Sequence, residues 1–159
     1  MSIKHPIISV TGSSGAGTST VKHTFQQIFR RESVKAVTLE GDAFHRYNRK
    51  EMKKELEKRH AAGDATFSHF SFDANLLPEL EDCFRNYSEQ GTCRYRHYIH
   101  NLHEENLHGA KPGNFTKGKK FEEPSDLLFY EGLHGAVVNE EINLAKYADL
   151  KIGVVPVIN

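Results

Sequence analysis

The feature that most constrains the fold of this chain is a glycine-rich turn that directly follows an apolar stretch near the N-terminus. Residues 7–11 are mostly β-branched, and Gly12, Gly15 and Gly17 come next. Glycines let the backbone turn sharply with its N–H groups pointing inward, and a following helix adds the positive end of its dipole. The stretch therefore predicts a strand, a phosphate-binding loop and a helix. If ATP is the ligand, its predicted contacts are Gly12, Ser13, Ser14, Gly15, Ala16, Gly17, Thr18, Ser19 and Thr20.

Two phosphate-loop patterns compete for this stretch. In the pattern G-x-x-x-x-G-K-[ST], Gly12 and Gly17 are in register and Ser19 takes the hydroxyl position that ligates Mg²⁺, but Thr18 replaces the lysine. A lost charged hydrogen bond costs about 1.5–3 kcal/mol, so we expect a Lys or Arg from elsewhere to supply the cation. The dinucleotide pattern G-x-G-x-x-G fails because Ser14 occupies its second glycine. The alternative to a phosphate loop is an ordinary glycine- and serine-rich turn between a strand and a helix, with no ligand.

The next elements complete a βαβ unit. Val21, Phe25, Ile28 and Phe29 recur at helical spacing, so a helix with one buried stripe is predicted, and residues 34–39 are typical of a short strand. A strand, a crossover helix and a second strand favour a parallel sheet. We therefore predict an α/β fold in which a phosphate loop follows the first strand. Its mostly parallel sheet has helices on both faces, in a single domain over residues 1–159.

Charged residues follow the second predicted strand. Asp42, His45 and Arg46 come directly after it, and Arg49 lies one turn further on. Ligands bind at the carboxyl edge of open α/β sheets. Glu40 keeps a dinucleotide alternative open, because an acidic residue about 20 positions after a glycine loop can hold a ribose.

A second informative stretch begins at residue 125. Leu127 to Tyr130 form a nearly continuous apolar run, typical of a strand buried on both faces, and Glu131 follows it. In P-loop enzymes a carboxylate at this place holds Mg²⁺ opposite the loop hydroxyl. An acid exposed at the tip of a strand is the structural alternative.

The other segments are predicted from periodicity alone. Helices are expected at 48–60, 76–90 and 139–147, strands at 93–100 and 148–159, and a long polar loop at 101–124. The histidines at 97, 100, 103 and 108 have no spacing of known ligand geometry, which favours a polar surface or phosphate contacts over a metal site.

Charge and composition exclude several classes of protein. The 159 residues carry a formal net charge of +0, so no overall field favours nucleic acid or an anionic membrane. No apolar run is long enough to span a bilayer and no signal-like segment begins the chain, so a cytoplasmic protein is expected. In that compartment Cys83 and Cys93 are expected to be thiols. Because no helix follows the last apolar strand, we expect the chain to be a C-terminally truncated fragment.

Three stretches together resemble phosphoribulokinase in its bacterial branch, and the resemblance covers essentially the whole chain. They are residues 11–20, 40–46 and 128–135, and the match continues at 67–70, 112–116 and 153–159. The bacterial family also has Thr after the last loop glycine, so Thr18 departs only from the general pattern. The resemblance implies an α/β fold of the P-loop NTPase, nucleoside-kinase-like type.

The resemblance implies ATP-dependent phosphorylation of D-ribulose 5-phosphate to the 1,5-bisphosphate in the Calvin cycle, with ATP and Mg²⁺. By position, Asp42 is implied as the base that takes the substrate hydroxyl proton, and Glu131 as a second catalytic carboxylate at the metal with Ser19. The implied ribulose 5-phosphate contacts are His45, Arg49, Tyr98 and His100.

The resemblance also implies a homo-oligomer, typically an octamer, controlled by NADH and AMP. The plant-type regulatory cysteine is not expected, since the loop holds only Gly, Ser, Ala and Thr. A uridine kinase-like nucleoside kinase, a non-enzymatic nucleotide sensor and a dinucleotide-binding enzyme stay as alternatives.

Overall fold

The computed structural model of the protein describes residues 5–156, which form ten helices and strands. In chain order the elements are β1 (Ile7–Gly12), α1 (Thr18–Arg31), β2 (Ala36–Glu40), α2 (Arg49–Ala61), α3 (Leu77–Gln90), β3 (Arg94–Tyr95), α4 (Leu102–His108), β4 (Lys119–Lys120), β5 (Leu127–Gly132) and β6 (Leu150–Val154). Short 3₁₀ turns follow β2, precede α3 and precede β6, at Gly41–Phe44, Phe72–Ala74 and Leu144–Lys146.

The central sheet has four strands in the order β2-β5-β1-β6, and every pair in it is parallel. Because parallel strands run the same way, the loop after β1, the turn after β2 and the end of β5 meet at one edge. The predicted α/β class and parallel sheet are confirmed. A second, antiparallel sheet contains only β3 and β4.

Helices cover both faces of the central sheet, as predicted. On one face Phe25 and Phe29 of α1 pack against Phe129 of β5, with ring centroids 5.2 and 5.7 Å apart. On the other face Phe84 of α3 lies edge-on to Tyr130, 5.4 Å away. Neighbouring β5 residues point to opposite faces, so this continuous apolar run is buried on both sides.

The start of α2 is fixed by a capping box. The Asn48 side chain accepts hydrogen bonds from the backbone N–H groups of Lys50 and Glu51, and the Glu51 carboxylate accepts one from the Asn48 N–H. This arrangement satisfies backbone donors that a helix start leaves open. It also sets Arg49 at the first position of α2.

Three predicted elements differ from the structure. The strand expected at 93–100 is regular only at Arg94–Tyr95, and the helix expected at 139–147 is reduced to the 3₁₀ turn at Leu144–Lys146. Conversely, α4 lies within the segment expected to be a loop. The strand expected at 148–159 is observed at Leu150–Val154, and its last three predicted positions lie outside the described residues.

The expectation that both cysteines are thiols is wrong. Cys83 of α3 and Cys93, which lies just before β3, form a disulfide. Both residues are buried, at 2% exposure, in the core beneath α3. The bond is possible because the turn at Gly91 reverses the chain and returns Cys93 to the last turns of α3. Sequence spacing alone does not reveal this return.

None of the helices within residues 5–156 combines the length and the apolar composition needed to cross a membrane.

Candidate functional site

The glycine loop joins β1 to α1 at the carboxyl edge of the sheet. Gly15 and Gly17 have φ values of +79° and +99°, which residues with a side chain rarely adopt. Gly17 is the N-cap of α1, and the Ala16 N–H donates to the Ser13 carbonyl across the turn. Ser19 is exposed in the first turn of α1. Open backbone donors at a helix N-terminus suit an anionic group.

Asp42 lies between two histidines at the same edge. His45 Nε2 is 3.2 Å from Asp42 Oδ1, and His100 Nε2 is 3.4 Å from Asp42 Oδ2. The Asp42 side chain is 49% exposed, so its carboxylate is held by neighbours and still open to solvent. The turn at Gly41–Phe44 supplies Asp42, whereas His100 comes from the segment after β3.

The buried side chain of Asn75 holds the imidazole of His45 on the side away from Asp42. Its Nδ1 atom lies 2.9 Å from Oδ1 of Asn75, which is 3% exposed. The Asn75 amide nitrogen donates to the carbonyls of His69 and Ser71, so its oxygen faces the imidazole as an acceptor. Both ring nitrogens of His45 therefore face oxygen acceptors, which favours the protonated ring.

Arg96 holds the backbone that carries Asp42 and His45. Its guanidinium donates to the carbonyl oxygens of Ala43 at 2.8 Å and His45 at 2.5 Å. The same group lies over the Phe115 ring, 3.5 Å from its centroid. Two charged hydrogen bonds and a stacking contact restrict the movement of this turn.

The other two predicted substrate contacts border the same group. The Tyr98 ring centroid lies 4.9 Å from that of His100 and 6.0 Å from that of His45, both edge-on. Arg49 donates from Nη2 to the His100 carbonyl at 3.3 Å. Of the four predicted substrate contacts, His45 and His100 therefore contact Asp42 directly, and Tyr98 and Arg49 contact these histidines.

Glu131 lies at the end of β5, directly opposite Glu40 of β2. Lys22 of α1 joins them: its Nζ atom is 2.6 Å from Glu40 Oε1 and 3.7 Å from Glu131 Oε2. The side chains of Lys22 and Glu131 are only 15% and 14% exposed. A cation thus lies at this edge although Thr18 replaces the usual loop lysine.

Charges in the site shift the pKa values of Asp42 and its neighbours. The hydrogen bond from His45 lowers the pKa of Asp42 more than desolvation raises it, and the charges of His45, His100 and Lys22 lower it further. Desolvation lowers the pKa of His45, but its hydrogen bonds to Asp42 and Asn75 and the charge of Asp42 raise it above the ordinary value. The Asp42 carboxyl is therefore ionised at neutral pH.

Sequence reasoning missed Lys22, Arg96 and Asn75. Lys22 had a usable signal, because it follows Thr18 by one helical turn and so points to the same side of α1. Arg96 shares an alternating pattern with Tyr98 and His100 in the predicted strand. Asn75 gave no local signal, since its role depends on packing between distant segments.

The histidines at 97, 100, 103 and 108 do not gather around one point. His97 and His108 stack with ring centroids 4.1 Å apart, while His100 turns to Asp42. Among residues 5–156, no three His, Cys, Asp or Glu side chains are grouped in a way that could hold a metal ion. Mg²⁺ binding to a nucleotide does not require such a group, because one or two carboxylates and the phosphates suffice.

The chain matches the model of the Phosphoribulokinase / Uridine kinase family over residues 7–159. Phosphoribulokinase 1 of Cereibacter sphaeroides is 70% identical over 159 residues, which is 100% of this chain and 55% of that relative. The phosphoribulokinase of Nitrobacter vulgaris is 61% identical over 156 residues, which is 98% of this chain and 54% of that relative. The chain therefore spans about half the length of these curated relatives.

Two solved structures resemble this chain in fold. A phosphoribulokinase from Rhodobacter spheroides matches with a TM-score of 0.85 and 66% identity, over 97% of this chain and 52% of that one. A possible uridine kinase from Bacillus stearothermophilus has a TM-score of 0.65 and 14% identity, over 96% of this chain and 72% of that one, which shows a shared fold alone. By its family match, its sequence identity and its parallel-sheet fold, the chain belongs to the phosphoribulokinase / uridine kinase family.

Proposed function

We propose that this chain carries the ATP site and much of the acceptor site of a phosphoribulokinase, which phosphorylates D-ribulose 5-phosphate to the 1,5-bisphosphate with ATP and Mg²⁺. The observation that carries the proposal is the position of Asp42 between His45 and His100, at the sheet edge where the glycine loop opens. An ionised acceptor beside a phosphate loop suits transfer to a hydroxyl group. High identity to the curated phosphoribulokinases also supports it.

In the proposed mechanism, the backbone N–H groups of the glycine loop and the start of α1 bind the ATP phosphates. Ser19 and Glu131 are the proposed holders of Mg²⁺, since a hydroxyl and a carboxylate are suitable oxygen ligands. Mg²⁺ would neutralise charge on the phosphates during transfer. Asp42 accepts the proton of the attacking sugar hydroxyl.

The acceptor phosphate is proposed to lie among His45, Arg49, Tyr98 and His100. His45 has a raised pKa and Arg49 is cationic, so both favour an anionic ligand. Tyr98 borders the two imidazoles and offers a hydroxyl. Positioning and charge neutralisation account for most of the catalysis of phosphoryl transfer, so these groups need not form covalent bonds.

The same resemblance is the basis for a proposal on the oligomeric state, the cellular location and the effectors. We propose a cytoplasmic homo-oligomer, typically an octamer, controlled by NADH and AMP. Sedimentation velocity measures the assembly, and ADP release with and without each effector measures the control. A monomer that is insensitive to both would contradict this part of the proposal while leaving the phosphoryl transfer intact.

The main test measures ADP release by the protein. With Mg²⁺ and ATP, ribulose 5-phosphate is expected to stimulate release strongly and uridine is not. Stimulation by uridine alone would favour the nucleoside kinase, and ATP binding without turnover would favour a sensor. Tight NAD binding that survives excess ATP would favour a dinucleotide-binding enzyme.

A further inference from the structure

Two carboxylates stand side by side at the ends of β2 and β5. Glu40 and Glu131 are directly paired positions on neighbouring parallel strands. Neighbouring strands lie about 4.8 Å apart, and side chains of directly paired residues point to the same face. Two ionised carboxylates at such a position repel each other unless a cation lies between them.

Lys22 supplies that cation. Its ammonium is 2.6 Å from Glu40 Oε1 and 3.7 Å from Glu131 Oε2, so it contacts both carboxylates and is nearer to Glu40. Burial of the lysine side chain makes the charge effective, because few water molecules screen it. Its charge also reaches Asp42, whose carboxyl it helps to keep ionised.

The position of Lys22 relates it to the missing loop lysine. It lies one helical turn beyond Thr18, where the general loop pattern has Lys, and on the same side of α1. A lysine at the loop position contacts phosphate oxygens directly. The Lys22 ammonium instead lies between two carboxylates, one of them the proposed metal holder Glu131.

We propose that Lys22 is a positioning residue that cancels the charge of Glu40 beside Glu131, so that this edge of the site carries one net negative charge in place of two; the inference rests on the proposed ATP site. Such cancellation reduces repulsion of the triphosphate. It also prevents the two carboxylates from capturing a divalent cation before a nucleotide arrives. Lys22 thereby performs the electrostatic task of the absent loop lysine without contacting phosphate.

The test is a double-substitution cycle on this chain with two binding measurements. Calorimetry measures ATP affinity in EDTA, and electron paramagnetic resonance measures Mn²⁺ binding without nucleotide. Lys22→Met is expected to weaken ATP binding about tenfold and to tighten Mn²⁺ binding by a similar factor, because the edge gains one net negative charge. Glu40→Gln is expected to shift both affinities in the opposite direction.

The decisive protein is Lys22→Met combined with Glu40→Gln, which restores the net charge. Both of its affinities are expected to return to within about threefold of the unmodified chain. Lys22→Arg is expected to bind like the unmodified chain, because it keeps the charge. Lys54→Met, on the exposed face of α2, is the matched control and should change neither affinity.

Three outcomes would overturn the proposal. If Lys22→Met weakens ATP binding and Glu40→Gln does not restore it, Lys22 contacts phosphate directly. If Lys22→Met changes neither affinity, its ion pairs have no role in binding. If Mn²⁺ binding weakens in Lys22→Met, the lysine does not keep a cation from the two carboxylates.

The two measurements also separate this proposal from the proposed function. If the unmodified chain binds no ATP, the ATP site is wrong, while tighter Mn²⁺ binding by Lys22→Met still supports charge cancellation and its absence overturns it. In Lys22→Met two carboxylates repel each other without a cation between them, and this variant alone could unfold. Glu40→Gln and the double substitution leave only the Glu131 carboxylate of that pair, so their affinities still test the proposal. Circular dichroism melting curves identify that case.

Discussion

The imidazole of His45 lies 3.2 Å from the carboxylate of Asp42, and the two residues stand at one 3₁₀ turn after β2. The contact orients the proposed base and lowers its pKa. His45 is in turn held by the buried amide of Asn75. Asn75 therefore orients His45, and His45 orients the proposed base Asp42.

Asp42→Asn is expected to lower turnover by about 10²–10⁴-fold, because an amide cannot accept the hydroxyl proton as the proposed base would. ATP affinity should not fall, since Asp42 is not in the glycine loop and its replacement removes a negative charge near the phosphates. ADP release and calorimetry measure the two quantities. Asp82→Asn, an exposed acid on α3, is the control. Turnover close to normal in Asp42→Asn would contradict its role as base.

Stability is expected to depend on pH through His45 and Asp42. The folded pKa of His45 is raised above its ordinary value of 6.5, so its stabilisation is complete below that pH and is lost as the pH rises through the folded pKa. The folded pKa of Asp42 is lowered below 3.8, so its stabilisation is present above that pH and is lost as the pH falls through the folded pKa.

The free-energy difference between the unmodified chain and His45→Gln should therefore be largest between about pH 4 and pH 6.5 and should shrink at higher pH. Urea unfolding across this range measures it, and NMR titration of the His45 ring gives the pKa directly. A ring pKa below the ordinary value would contradict the prediction.

Arg96→Met is expected to destabilise the chain by about 2 kcal/mol, because it removes both hydrogen bonds to the turn after β2 and keeps the apolar stem. The pKa of Asp42 should move towards its ordinary value as His45 loosens. Arg94→Met is the matched control, since the exposed Arg94 makes one longer contact to Gly118. Equal losses of stability in the two variants would mean that Arg96 does not restrain the turn.

Gly17→Ala is expected to weaken ATP binding and to lower stability by about 1–2 kcal/mol, because alanine is strained at a φ of +99°. An added Cβ meets no atom within 4 Å there, so the effect comes from the backbone and not from a clash. Gly153→Ala in β6 is the control, because it is equally open and its φ is not in the left-handed region. Calorimetry and urea unfolding measure both variants, and an unchanged Gly17→Ala would contradict the proposed loop geometry.

Reduction of the Cys83–Cys93 disulfide is expected to lower stability by about 2–3 kcal/mol, the value of the chain-entropy model for a sequence separation of 10. Cys83→Ser should give a similar loss, and a reducing agent should then have no further effect on it. Urea unfolding with and without reductant measures the difference. Alkylation of both cysteines in the untreated protein would show that the bond is absent in solution.

The sequence predicted the elements whose evidence is local. The glycine loop, the βαβ unit, α2 and α3 were predicted within a few residues, because periodicity, caps and glycines act over one or two helical turns. The secondary-structure predictions were wrong where contacts between distant segments determine the local structure. Residues 96–100 alternate like a strand, yet they pair only irregularly with residues 113–116. The short helix α4 was missed because it has little apolar patterning, and an Asn101 cap helps to form it.

By itself, the sequence determined the fold class and the glycine loop, since both depend on spacing along the chain, and a family resemblance predicted part of the candidate site. Only the tertiary structure decided which of these residues meet. The order β2-β5-β1-β6 places β5 beside β2 although two long helices and a small sheet separate them in the chain. That pairing brings Glu40 next to Glu131 and Lys22 between them, and the fold brings His100 to Asp42. Such contacts depend on burying the shared core, which no local pattern specifies.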